Sequence, residues 1–133
     1  TLYLVNGSTG AGLTALNFLN TTNKYKLVEK TIYNITTSHD FIVEPIFTAG
    51  NITKVWALCQ GGTNVSFMLE KCDINGSSCN KVNATSWIAE NGVALAITTF
   101  TNATLAVNET IKFNETAANG APPLFTVWYN RTY

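Results

Sequence analysis

Apolar and polar side chains alternate along most of this chain. The clearest run is Asn64–Glu70, where Val65, Phe67 and Leu69 share one parity and Asn64, Ser66 and Glu70 the other. Successive side chains of a strand point to opposite faces, so this run predicts a strand with a core side and a solvent side. The same pattern predicts strands near 25–36, 41–48, 52–60, 81–89, 93–100, 104–113 and 124–131, while helical period is nearly absent. Short strands repeating about every ten residues point to an all-β fold, an antiparallel β-sandwich of about seven to nine strands.

The connections carry turn chemistry. Gly61-Gly62 suits a two-residue hairpin between Gln60 and Thr63, and Asn91-Gly92 suits a type I′ hairpin because both residue types accept positive φ. Pro45 lies inside an apolar run, which predicts an edge or bent strand, and Pro122-Pro123 fixes the start of the strand after it. Leu124–Tyr129 is apolar on both faces, as expected of a central strand or one at a subunit junction.

Residues 1–20 differ from the single sandwich domain expected over 21–133. Leu2, Tyr3, Leu4 and Val5 are followed by Gly7, Gly10 and Gly12, and then by Leu13, Ala15, Leu16, Phe18 and Leu19. Two readings stand open. The segment is an ordinary first strand with a glycine-rich loop, or an extended arm that lies in a groove on a neighbouring subunit, where glycines permit close backbone approach.

Charge narrows the function classes. Charged residues make up 12% of the chain and cancel to a net charge of zero, whereas hydrophobic residues make up 46%. That balance argues against a nucleic-acid groove or a polybasic membrane patch, both of which need clustered Lys and Arg. No apolar run approaches the roughly 18 residues of a membrane helix, so no membrane span is expected. The sequence does not open on a basic stretch followed by an apolar run, so any signal peptide is expected to have been removed, with Thr1 a mature N-terminus or simply the first residue given.

The asparagines change the picture most. Asn-X-Ser/Thr occurs at Asn6, Asn20, Asn34, Asn51, Asn64, Asn75, Asn83, Asn102, Asn108, Asn114 and Asn130, which is 11 of the 16 asparagines. With 26 Ser and Thr residues in 133, chance placement gives only about three such acceptor tripeptides. The excess predicts covalent N-linked glycans, hence an extracellular, secreted protein. Because glycans are bulky and face solvent, each occupied site would also mark an outward side chain.

Three cysteines are present. Cys72 and Cys79 bracket a turn-rich run and are expected to form a disulfide, leaving Cys59 as a buried thiol. Zinc held by these cysteines and His39 is disfavoured, because the spacing offers no close cysteine pair.

Little else suggests chemistry. Ser38-His39-Asp40 is not a triad, because neighbours on an extended chain point apart, and it reads as a solvated turn before Phe41. The eight carboxylates are scattered, Asp73-Ile74-Asn75-Gly76 lacks the later ligands of a calcium loop, and no phosphate loop precedes a helix. Trp56, Trp87 and Trp128 suit either the core or a sugar-binding face. No catalytic residue, metal or cofactor is expected.

The dense sequons from Asn6 to Asn130, the low charge, the sandwich pattern and the glycine-punctuated segment Leu2–Leu19 together resemble the archaeal thread pilins. The resemblance covers the whole chain but is one of architecture and composition, without a diagnostic motif. It implies a structural subunit that polymerises head to tail with identical subunits by donor-strand complementation, in a glycosylated surface filament with a role in adhesion or cell–cell contact. Under it, Leu2 to Leu19 is the candidate donor strand, with the C-terminal strand a competitor for that role. A glycan-shielded immunoglobulin-like ectodomain or viral surface glycoprotein is the alternative, weakened because no cysteine lies upstream of Trp56 to build the usual Cys…Trp…Cys core. A secreted hydrolase is the third.

Overall fold

The computed structural model describes residues 24–35 and 39–133. Within them ten strands form: β1 (Tyr25–Tyr33), β2 (Asp40–Pro45), β3 (Gly50–Gln60), β4 (Asn64–Asp73), β5 (Asn80–Lys81), β6 (Trp87–Glu90), β7 (Leu95–Ile97), β8 (Thr104–Leu105), β9 (Glu109–Asn119) and β10 (Leu124–Thr132). The fold is all-β and its strands make two antiparallel sheets stacked as a sandwich. The first sheet has the order β2-β9-β4-β5, with β6 also paired to β4; the second has the order β1-β10-β3-β7, with β8 also paired to β3.

Strand parity decides what is buried. Val65, Phe67 and Leu69 of β4 point inward and are at most 1% exposed. They meet Ile111 and Phe113 of β9 and, from the other sheet, Val55, Ala57 and Cys59 of β3 and Phe125, Val127 and Tyr129 of β10. Phe67, Phe113 and Phe125 form a triangle with ring centroids 5.3–6.0 Å apart, and this triangle joins the two sheets. Each such aromatic pair adds about 0.5–1.5 kcal/mol beyond the area it buries.

The turns correct two expectations. Gly61 and Gly62 do take positive φ (87° and 66°), but β3 and β4 lie in different sheets, so the turn crosses the sandwich instead of closing a hairpin. Asn91-Gly92 likewise links β6 of the first sheet to β7 of the second. Only Gly92 of that pair has positive φ, and Val93 N donates back to Glu90 O at 3.1 Å, so the type I′ geometry is absent. The expected strand over 81–89 is two strands, β5 and β6, and the one over 104–113 breaks at Asn108, whose φ is 70°. Two of the ten strands, β5 and β8, have only two residues each, which accounts for a strand total above the expected range.

Pro45 ends β2, which is an edge strand as the sequence predicts. The doubly apolar β10 is central, between β1 and β3. Its ladder with β3 slips between Asn130 and Arg131, where Thr53 is left unpaired and its hydroxyl donates to Asn130 O at 3.2 Å.

Candidate functional surface

Nine of the eleven sequon asparagines fall in the described residues, and none of the nine is buried. Asn6, Asn20 and the candidate donor residues from Leu2 to Leu19 lie outside the described residues. Asn34, Asn83, Asn102 and Asn108 stand in connections between strands, and Asn51 near the start of β3. Asn64 on β4 and Asn114 on β9 have outward parity on the first sheet, opposite Val65 and Phe113. At three positions the amide oxygen is the engaged atom. Asn119 Nδ2 donates to Asn64 Oδ1 at 2.7 Å, Lys71 Nζ to Asn102 Oδ1 at 2.7 Å, and Thr104 Oγ1 to Asn51 Oδ1 at 3.1 Å. That leaves the nitrogen, the atom a glycan joins, out of these bonds.

Cys72 and Cys79 form the expected disulfide, and Cys59 is a buried free thiol whose Sγ donates to Gly61 O at 3.3 Å. Between the bridged cysteines, Asp73 Oδ1 accepts from Asn75 N at 3.0 Å and from Ser77 N at 2.9 Å. These bonds from Ser77 and Asn75 hold the Asp73 carboxyl below its ordinary range. Glu70 approaches Cys72 and Cys79, but the two sulfurs are bonded to each other and so are not thiolate ligands.

One side of the sandwich is closed and the other open. On the closed side, Gly92 N donates to Cys59 O at 2.8 Å and Gly61 N to Asn91 Oδ1 at 2.8 Å, tying β6, β7 and β3 together. On the open side, β1 and β2 are the edge strands of the two sheets, each paired along one flank only among the described residues. A cleft of about 490 Å³ lies there, lined by Lys26 of β1, Glu44 of β2, Phe47 beyond β2, and Arg131 and Tyr133 at the end of β10. Phe47 is 74% exposed at its rim.

Glu44 anchors the floor of this cleft. Its carboxylate accepts from Lys26 Nζ at 3.0 Å, from Arg131 Nε at 3.2 Å and from the Tyr129 hydroxyl. Burial alone would raise the Glu44 carboxyl, but the hydrogen bonds from Tyr129 and Lys26 and the Arg131 charge outweigh it, and its pKa is lowered. Burial, together with the hydrogen bond to Glu44, pushes the Tyr129 phenol well above its ordinary range. The sequence reading counted Glu44 among scattered carboxylates and missed this cluster.

The outer face of the second sheet has a different character. Trp128 pairs with Trp56 across the β10–β3 ladder, and Trp128 Nε1 donates to Glu29 Oε2 at 2.9 Å on β1. Lys54 Nζ sits 4.7 Å from the centre of the Trp56 ring. Trp87, by contrast, is in the core against Phe67. The three tryptophans therefore divide: one belongs to the core and two to an outward face.

His39 is not merely the solvated turn expected before Phe41. Its Nδ1 lies 2.9 Å from Oε1 of Glu115, which is 1% exposed and inward-facing on β9. Asp40 pairs instead with Lys112 at 3.1 Å. No helix among the described residues is long and apolar enough to cross a membrane.

No protein-family model matches this chain, and no curated protein matches it. A solved structure of the infectious bursal disease virus Gt strain is similar at a TM-score of 0.44 with 8% sequence identity. The match covers 84% of this chain and 32% of that one, so this chain spans about a third of its length.

Proposed function

We propose that this chain is the structural subunit of a heavily N-glycosylated extracellular filament, similar to the archaeal thread pilins, joined head to tail by a strand donated from one subunit to the next. The observation that carries the reading is the open side between β1 and β2. An edge strand presents unpaired N–H and C=O groups, which make a template for another strand. A donated strand would satisfy them with main-chain bonds worth about 0.5–1.5 kcal/mol each, and alternate side chains would set its register.

The donor is the apolar segment Leu2–Leu19, which precedes β1 in the chain. The sequons at Asn34, Asn51, Asn64, Asn75, Asn83, Asn102, Asn108, Asn114 and Asn130 support a sugar-covered exterior, since none of these asparagines is buried. The Cys72–Cys79 disulfide is compatible with an oxidising, extracellular setting. On this reading the protein performs no chemistry: it links to its neighbours, and its exterior mediates surface adhesion or cell–cell contact.

Electron microscopy of native material, together with deletion of residues 1–19, tests the proposal. Filaments from the full chain and soluble monomers from the deletion are the expected result. Discrete particles from the full chain would favour a glycan-shielded binding module instead, and normal polymerisation of the deletion would remove the N-terminal donor.

A further inference from the structure

We infer that the apolar groove on the outer face of the second sheet is the seat of the first sugars of a glycan carried by Asn130. The inference deepens the glycosylated-subunit reading and rests on Asn130 being occupied. The groove measures about 370 Å³ and is lined by Leu27, Trp56, Leu58, Ala94 and Trp128. Asn130 and Trp128 are two residues apart on β10, so they share this face, about 7 Å apart at the rise of a strand. Trp56 is the cross-strand neighbour of Trp128, and Lys54 and Leu27 are those of Asn130. The asparagine thus stands at one end of the groove, and the two indoles begin one step away.

The side-chain amide is turned the right way. Asn130 Oδ1 is buried without a hydrogen-bond partner among the described residues, although the residue as a whole is only half-buried. The oxygen is the covered atom of the amide, which leaves the nitrogen as the one for attachment. Sugars joined there are tethered beside the groove, at an effective concentration that no free ligand matches.

The lining suits a sugar ring. A pyranose has a face of C–H groups and a rim of hydroxyls, and aromatic side chains take up such faces by stacking. Trp56 and Trp128 supply the platform. Lys54 beside Trp56 and Glu29 beside Trp128 supply a donor and an acceptor for the hydroxyls. Asn64 and Asn114, on the outer face of the first sheet, have no aromatic residue two positions away. The arrangement at Asn130 also accounts for two outward indoles on a secreted surface, where an uncovered apolar patch promotes association.

The test compares the native full chain with Asn130→Gln. Glycopeptide mass spectrometry establishes whether Asn130 carries sugar, and the peptides of the other sequons report separately on the glycosylated-subunit reading. Tryptophan emission and its quenching by acrylamide then read the groove, with buried Trp87 as a constant background. Asn130→Gln is expected to shift the emission to the red, raise the quenching constant and lower Tm, and in a Trp128→Leu background that drop in Tm should disappear. Unchanged emission and quenching with Asn130 occupied in the parent would overturn the inference while leaving the glycosylated reading intact. An unmodified Asn130 peptide would overturn it too, and protection that grows with protein concentration would assign the groove to a second copy instead.

Discussion

Arg131 and Glu44 reach each other from opposite sheets, with Arg131 Nε donating to Glu44 Oε2 across 3.2 Å inside the sandwich. Their side chains are only 5% and 8% exposed, so each depends on the other to offset its lost hydration. The Arg131 guanidinium also donates to Thr48 O at 3.3 Å, which fastens the end of β10 to the β2–β3 connection, and to Thr132 O of its own strand at 3.1 Å.

Removing one partner should therefore be severe. Arg131→Met keeps the Asn130 sequon and leaves the Glu44 carboxylate with only Lys26 and the Tyr129 hydroxyl, and is expected to cost about 3 kcal/mol of unfolding free energy, the low end for a broken buried pair. Adding Glu44→Leu should recover much of that loss, because an apolar pair can replace a buried ion pair. Urea unfolding of the single and double variants checks this, and a double variant as unstable as the single one would contradict it.

The same carboxylate predicts an acid limb in stability. The Glu44 pKa is lowered in the folded chain from an ordinary value of 4.5, so folding favours the ionised form. Its contribution is complete above the unfolded value and is lost as pH falls through the lower folded value. Glu44→Gln should be less stable than the parent at neutral pH, with the gap narrowing below about pH 4.5. Thermal melts across an acid series measure the gap, and a constant difference would exclude Glu44 as its source.

The Cys72–Cys79 bridge closes a short loop of sequence separation 7. Loop-closure entropy for a ring of this size is worth about 2 kcal/mol. Replacing both cysteines by serine is expected to destabilise by that amount or somewhat less, because Asp73 already holds the loop through Asn75 N and Ser77 N. The comparison is made by equilibrium unfolding under non-reducing conditions.

Cys59 should be silent until the sandwich opens. It is fully buried, and its thiol pKa is raised by burial and by the charge of Glu90. A thiol reagent is expected to label nothing in the native chain and one cysteine per chain in denaturant without reductant. Ready labelling of the native chain would mean that the core around β3 opens under native conditions.

Local alternation made much of this fold legible. Val65, Phe67 and Leu69 are buried as their parity requires, and β3 and β10 each lie within two residues of their expected bounds. What local pattern does not encode is which strands pair. Gly61-Gly62 and Asn91-Gly92 bend the chain as their residue types demand, yet both turns lead across the sandwich, because the apolar faces of the flanking strands oppose each other instead of lying side by side. Parity carried more about the surface than the sequence reading drew from it. Trp56 falls between the inward Val55 and Ala57, whereas Trp87 shares its side with Ala89. Glu115 follows Ile111 and Phe113 at inward parity, which marks a buried acid before any partner is known. His39 and Glu44 acquire their roles from residues 76 and 87 positions away, a distance over which local pattern carries nothing.

The place of β10 at the centre of the second sheet also governs the order of events during synthesis. β1 has no neighbour except β10 among the described residues, and the bond from Trp128 to Glu29 spans 99 positions. Until the ribosome has released residues 124–132, β1 and β3 have nothing between them to pair with. β1 therefore joins the second sheet only once residues 124–132 have been made, and pairing at such separation is slow. On the glycosylated reading, Asn34 and Asn51, beside β1 and on β3, would be open to a transferase through that interval, before the second sheet can close around them.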